Sequence, residues 1–268
     1  MKSHLNILSC LQGAGALPFA DELLPFAEWV AREALEALSP TRCAGCERAG
    51  ALICQDCLAA FTLIDPRHSC TRCSAPFGDL LCTECSVEGT SSAMTEVLDR
   101  CLACAVYAHS LPRIIKAYKD AGERRLAPYL AELLYDTALH AQVVAPDRYG
   151  GVLSGADVVV FVPATAAAFR RRGFDHMEAI ARPFCELSGV PLLDALVKYG
   201  HGDQRELGRE ERRERARGMY ETVEDVQGKR LLLIDDVITT GATMAAASAE
   251  LKRAGAAAVD GLAIARVW

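Results

Sequence analysis

Apolar positions fall into two kinds of stretch along this chain. Val158 to Val162 and Leu231 to Ile234 are unbroken apolar runs, the pattern of strands buried on both faces in a parallel sheet. Cys101-Leu-Ala-Cys-Ala-Val-Tyr-Ala108 reads as another strand, with Cys101 and Cys104 on opposite faces as buried free thiols. Helical spacing predicts a helix from Asp21 to Leu38, capped by Asp21 and stopped by Pro40. A second passes through Ile114, Ile115 and Tyr118 and breaks at Lys119-Asp-Ala-Gly122. Others run from Leu126 to about His140, from Met177 to Ser188 and from Met244 to Arg253. Pro146–Gly155 and Ala164–Ala168 read as loops. Strands alternating with helices predict an α/β fold, a parallel sheet with flanking helices. Ligands of such folds sit beyond the C-terminal strand ends, where Pro163 and Asp235 fall.

The cysteines add a second module. Of 12 cysteines, ten form Cys-x-x-Cys pairs, and four of those pairs lie between Cys43 and Cys85. They are Cys43/Cys46, Cys54/Cys57, Cys70/Cys73 and Cys82/Cys85. A two-residue spacer lets both sulfurs face one ion, and two such knuckles complete the closed tetrahedral site that structural zinc prefers. Four knuckles predict two Zn²⁺ ions, paired either sequentially or crossed. A segment this short buries little core by itself, so metal binding, on the order of 10 kcal/mol per site, takes the core's place. With every position filled by sulfur, these metals are expected to be structural.

Bulk composition narrows the class. With 51% hydrophobic and 24% charged residues the chain is globular rather than disordered, and its length suggests two domains. A net charge of -6 gives no overall pull toward nucleic acid or membrane, so either would need a local basic patch such as Arg170–Arg172. No apolar run is long enough to span a bilayer, and the first residues make a poor signal peptide, so a cytoplasmic location is expected. The Gln204–Arg217 segment mixes Arg and Glu at helical spacing and reads as a solvated, ion-paired helix.

The chemistry concentrates between Leu231 and Thr243. Asp235 and Asp236 follow the apolar run, then Thr239, Thr240, Gly241, Ala242 and Thr243, then a helix. Strand, small loop and helix N-terminus bring backbone N–H groups and the positive end of the helix dipole to one point, a place for phosphate. Gly241 lets the backbone approach an anion closely. Two carboxylates there would repel phosphate directly. They suit either sugar hydroxyls or a hard cation such as Mg²⁺.

This stretch closely resembles the 5-phosphoribosyl-1-pyrophosphate (PRPP) motif of type I phosphoribosyltransferases. The resemblance implies that Asp235 and Asp236 meet the ribose hydroxyls while Thr239–Thr243 wraps the 5′-phosphate. Taken with the four knuckles, the Lys119 helix break, Val162-Pro163 and Arg171-Arg-Gly-Phe174, the chain resembles the ComF family from about Pro40 onward. That family implies a double zinc ribbon over 41–92 and a type I phosphoribosyltransferase-like domain over 93–268, after the N-terminal helical extension read over 1–40. It also implies PRPP or nucleotide as ligand with Mg²⁺, and a link to the DNA-uptake machinery of competent bacteria, with single-stranded DNA as a further partner. Pro163 and Arg172 would then line the substrate site, and Gln204 or Arg212 would lie near its hood.

Several positions depart from the family pattern. The loop after Pro163 usually carries a basic residue for pyrophosphate, and here it offers Ala166, Ala167 and Ala168. The family's Gly-Phe-Asn-Gln is Gly173-Phe-Asp175-His176, its Thr-x-x-Gln is His201-Gly-Asp-Gln204, and a downstream Asn is Arg215. Fewer cations at that loop weaken leaving-group stabilisation. Two readings therefore stand: a phosphoribosyltransferase that joins PRPP to an unidentified acceptor, and a non-catalytic protein that binds nucleotide or single-stranded DNA.

Overall fold

The computed structural model describes residues 40–76, 81–86, 97–199 and 219–268. The expected helix Asp21–Leu38 and the Gln204–Arg217 segment lie outside these residues. The zinc-ribbon region contributes two short helices, α1 (Gln55–Ala59) and α2 (Thr83–Ser86). Then follow β1 (Arg100–Val106), α3 (Leu111–Lys119), α4 (Ala127–Val144), α5 (Pro146–Tyr149), β2 (Val158–Phe161), α6 (Ala166–Arg172) and α7 (His176–Ser188). β3 (Leu196–Lys198) and β4 (Tyr220–Thr222) pair as a separate antiparallel ribbon, and β5 (Arg230–Ile238), α8 (Ala242–Arg253) and β6 (Ala258–Arg266) complete the described chain.

The main sheet runs β1-β6-β5-β2 with every pair parallel. The expected unbroken apolar runs are β2 and the first half of β5. Their alternation splits them between two cores: Leu232 and Ile234 pack with α4 and α7, Leu231 and Leu233 with α8. Cys104 joins the first core and Cys101 the second, both as free thiols. Burial pushes the Cys104 thiol up to about 12.

Three local expectations change. β5 continues to Ile238 because Asp235, Val237 and Ile238 still pair with Ala263, Ala265 and Arg266, so both acids stand inside the strand. The alanine loop is mostly helix: Thr165 Oγ1 caps α6 by accepting from Ala168 N at 3.2 Å, and Gly173 ends it with φ 75°. Alanine has the highest helix propensity, and one cap suffices to start the turn. The Pro146–Gly155 loop begins as α5, with proline in the first turn, where its missing N–H is no loss.

The knuckles pair sequentially. The ligand atoms of Cys43, Cys46, Cys54 and Cys57 lie within 4.8 Å of one another, as do those of Cys70, Cys73, Cys82 and Cys85. Cys46 and Cys54 sulfurs are 3.6 Å apart, as are those of Cys73 and Cys82. Tetrahedral Zn–S bonds of about 2.3 Å require sulfurs about 3.8 Å apart, so both sets fit zinc. In each ribbon the residue after the first knuckle, Glu47 or Ser74, turns back in a left-handed conformation (φ 66° and 57°). Gly45 and Cys54 amides donate to Cys43 Sγ at 3.4 and 3.3 Å. Burial opposes thiolate formation at Cys43, but these amides bring it down to about 6.

The ribbons are also stitched to the sheet. Ile64 N donates to Cys104 O, Val106 N to Thr62 O and Cys101 N to Thr71 O, at 3.0, 2.9 and 2.7 Å. These bonds cover the free edge of β1, which would otherwise expose unpaired backbone groups. Ser74 Oγ accepts from Ala103 N at 2.7 Å, and Ser110 Oγ donates to Cys57 O at 2.8 Å. Removing zinc with a chelator should therefore lower the melting temperature by about 10 °C or more and speed hydrogen exchange at Cys101 and Val106. Thermal unfolding and exchange mass spectrometry measure both, and an unchanged β1 would refute the stitching.

Candidate active site

At the C-terminal end of the sheet a cavity of about 350 Å³ is lined by Lys119, Pro163, Thr165, Arg172, His176, Lys198, Asp235, Asp236, Thr239 and Thr243, among others. Six of the residues expected from the sequence thus share one space: Asp235, Asp236, Thr239, Thr243, Pro163 and Arg172. Thr240, Gly241 and Ala242 are not among the lining residues; they form the turn that enters α8 beside the cavity. Gly241 stands at the helix N-cap with φ 79°, a conformation that strains any residue with a Cβ. The Thr240 and Gly241 amides make no hydrogen bond to another described residue. Exposed N–H groups at the start of a helix are the donors an anion needs.

The two acids differ. Asp236 is engaged on both oxygens: Oδ1 accepts from Val237 N at 2.7 Å, while Oδ2 meets the Lys119 ammonium and His176 Nε2, the latter at 3.1 Å. Burial works against its charge, but His176 and Lys119 hold it well below the usual carboxylate range. Among the described residues the Asp235 carboxyl has one bond, from Asp236 N to Oδ1 at 2.9 Å. Burial first, and the Asp236 charge second, push it up to about 8. Like charges side by side cannot both ionise cheaply, so at neutral pH Asp236 carries the charge and Asp235 the proton.

That assignment bears on the choice between cation and sugar. Mg²⁺ asks for a near-ideal octahedron of oxygens. The pair presents Asp235 Oδ2 as its oxygen without a hydrogen bond among the described residues, on a largely protonated group. As it stands, the pair suits hydroxyls, one carboxyl donating and the other accepting.

His176, Lys119 and Lys198 had no site role in the sequence reading. His176 stood there as a departure from the family pattern, and Lys119 marked a helix break. Arg172 Nη1 donates to His176 Nδ1 at 3.3 Å, so the ring's hydrogen sits on Nε2 and points at Asp236. Tyr118 OH fixes the ring's backbone by donating to His176 O at 2.5 Å. Asp175 caps α7, accepting from Met177 N and Glu178 N at 2.9 and 3.3 Å. Its other oxygen accepts from Ala164 N at 2.6 Å, which pins the loop after β2. Lys119 closes α3, where the Gly122 turn (φ 74°) delivers it to the strand ends. Lys198 comes from the β3–β4 ribbon, and burial lowers its pKa. The alanine loop thus lacks cations, but the cavity gathers them from α3, α6 and β3.

Comparison with known proteins now identifies the domain. Residues 159–265 match the phosphoribosyl transferase domain. That domain family is the one to which this part of the chain belongs. The chain is 28% identical over 212 residues to the DNA utilization protein YhgH of Escherichia coli O157:H7, covering 71% of this chain and 87% of that one. It is 26% identical over 199 residues to the YhgH of Salmonella typhi, covering 71% and 81%. Among solved structures, the glutamine PRPP amidotransferase from B. subtilis complexed with ADP and GMP is 21% identical. That match covers 52% of this chain and 26% of the other, at a TM-score of 0.35. A phosphoribosyl transferase domain preceded by two Cys₄ groups is the ComF organisation.

Two variants separate the roles of the acids. The folded value of Asp235 lies above its free value near 4, so its burial removes stability progressively as pH rises from about 4 toward about 8. Asp235→Asn should raise the melting temperature at about pH 9 and change it little at about pH 3, where both states hold the proton. Lys119→Met should instead cost about 3 kcal/mol at neutral pH, because it leaves the buried Asp236 charge short of a partner. Urea titrations across pH distinguish the two patterns.

Proposed function

We propose that this chain binds a ribose 5-phosphate ester, either PRPP or a nucleotide, and does so in the service of DNA uptake or use. In this reading Asp235 donates to one ribose hydroxyl and Asp236 accepts from another. Thr239, Thr240, Gly241, Ala242 and Thr243 hold the 5′-phosphate through backbone N–H groups and hydroxyls. Lys119, Arg172 and Lys198 balance the remaining negative charge. The observation that carries the reading is the meeting, in one cavity, of a half-protonated acid pair with a phosphate-type turn and cations from separate elements.

A neighbouring cavity of about 410 Å³ shares Pro163, Ala164 and Lys198 with the first and is walled by Phe161, Phe169 and Leu196. Its apolar walls suit a planar ring attached to the sugar, whether an acceptor base or the base of a bound nucleotide. Transfer from PRPP would need orientation and charge stabilisation rather than a covalent nucleophile. The YhgH relatives are named for DNA utilization, and Arg170 and Arg171 are exposed beside the site, which supports nucleic acid as a further ligand.

Calorimetric titration with PRPP and with ribose 5-phosphate tests the proposal. The wild type should bind both with a dissociation constant on the order of micromolar, and Asp235→Asn/Asp236→Asn should weaken both by about a hundredfold. Failure of the wild type to bind either ligand would overturn it.

A further inference from the structure

Arg266 ends β6 on the far side of the site's floor, and it is buried, with 6% of its surface exposed. A guanidinium so placed needs acceptors or an opposite charge. Arg266 has no carboxylate partner among the described residues. It donates to carbonyls instead. Nε meets Cys73 O at 3.0 Å; Nη1 meets Val267 O at 2.6 Å, Ile238 O at 3.3 Å and, closest, Thr239 O. Cys73 belongs to the second Cys₄ group, and Thr239 opens the turn into α8. A single side chain therefore bridges the second zinc ribbon and the phosphate turn.

Peptide geometry gives that bridge a consequence. In a planar trans peptide the carbonyl and the following N–H point in opposite directions. Holding Ile238 O and Thr239 O on Arg266 aims the Thr239 and Thr240 N–H groups away from it. Thr240 N–H is one of the amides without a partner in the described structure. Electrostatics work in the same sense. Four thiolates around one Zn²⁺ leave a net charge of about −2, which attracts a nearby guanidinium. The metal centre helps to hold Arg266, and Arg266 sets the turn.

We infer that Arg266 is a positioning residue through which the second zinc ribbon presets the 239–243 turn for phosphate. This rests on the reading of that turn as the 5′-phosphate cradle, and it assigns the ribbon a part in ligand binding beyond stability. The first ribbon contacts neither Arg266 nor the turn in any recorded hydrogen bond among the described residues. It therefore serves as the internal control.

The test combines hydrogen exchange of the full-length, zinc-loaded protein with calorimetry. Arg266→Met should speed exchange at Ala245 and Val267, whose amides bond Gly241 O and Ile238 O at the two ends of the turn, at least tenfold while metal analysis still finds both zinc ions. It should weaken ribose 5-phosphate binding by roughly tenfold, the loss of about one charge-assisted hydrogen bond. Arg266→Lys keeps the charge without the fork and should recover part of both effects. Cys82→Ser, in the second ribbon, should reproduce the faster turn exchange, whereas Cys54→Ser, in the first, should not. Unchanged exchange at Ala245 and Val267 in Arg266→Met, or equal effects of the two cysteine variants, overturns the inference. Should Arg266→Met fail to fold, the cysteine pair and Arg266→Lys decide alone. If ribose 5-phosphate does not bind the wild type, the functional reading fails, but the exchange data still judge the bridge.

Discussion

Two adjacent carboxylates buried in a central strand are the constraint around which this domain is arranged. Asp235 and Asp236 lie on the sheet's floor at 6% and 5% exposure, and neither can stay there charged and alone. One solution is a shared proton; the other is a set of partners brought from a distance. The structure uses both. Asp235 keeps the proton, while Asp236 draws Lys119 from the end of α3 and His176 from the start of α7. Those two partners fix how α3 and α7 approach the strand ends. The Tyr118 bond to His176 O then ties α3 to α7 directly. The arrangement that solves a stability problem also lines a cavity with acids poised between charged and neutral, which can both donate and accept.

The departures from the family pattern acquire physical meaning in this frame. Asp175 and His176 replace an amide pair, yet each is fully used. Asp175 caps a helix and pins Ala164, and His176 relays between Arg172 and Asp236. The alanines after Pro163 remove cations from one loop, while Lys119, Arg172 and Lys198 bring cations to the same cavity from three other elements. Charge balance belongs to the pocket as a whole rather than to any one loop. The zinc ribbons follow the same economy. They supply the edge that β1 lacks and, through Arg266, a contact with the turn at the C-terminal end of the sheet.

Much of this was legible in the chain. The unbroken apolar runs marked β2 and β5 because strands buried on both faces have no polar positions to spare. The Cys-x-x-Cys spacing marked metal knuckles because the spacer is local geometry. The acid pair with its Thr-Gly turn marked one wall of the cavity, because strand, turn and helix start are consecutive in sequence. The errors were also local in origin. Asp235 and Asp236 looked like the end of the strand, since nothing in their own sequence shows that Ala263 and Ala265 continue the ladder to Ile238. The alanine stretch looked like a loop because the cap at Thr165 forms only once the chain bends.

What the sequence determined, then, was the set of elements and the residue types at the site, since both follow from short-range spacing and side-chain chemistry. Only the tertiary structure decided the partners. It paired the knuckles sequentially, sent Lys119 and His176 to Asp236, protonated Asp235 rather than its neighbour, and placed Arg266 between Cys73 and Thr239. Apart from the knuckles, which lie close in sequence, each of these joins residues tens to hundreds of positions apart or, for the acids, depends on such contacts. Burial and charge compensation act through space, and space is fixed only when the sheet and its helices have closed.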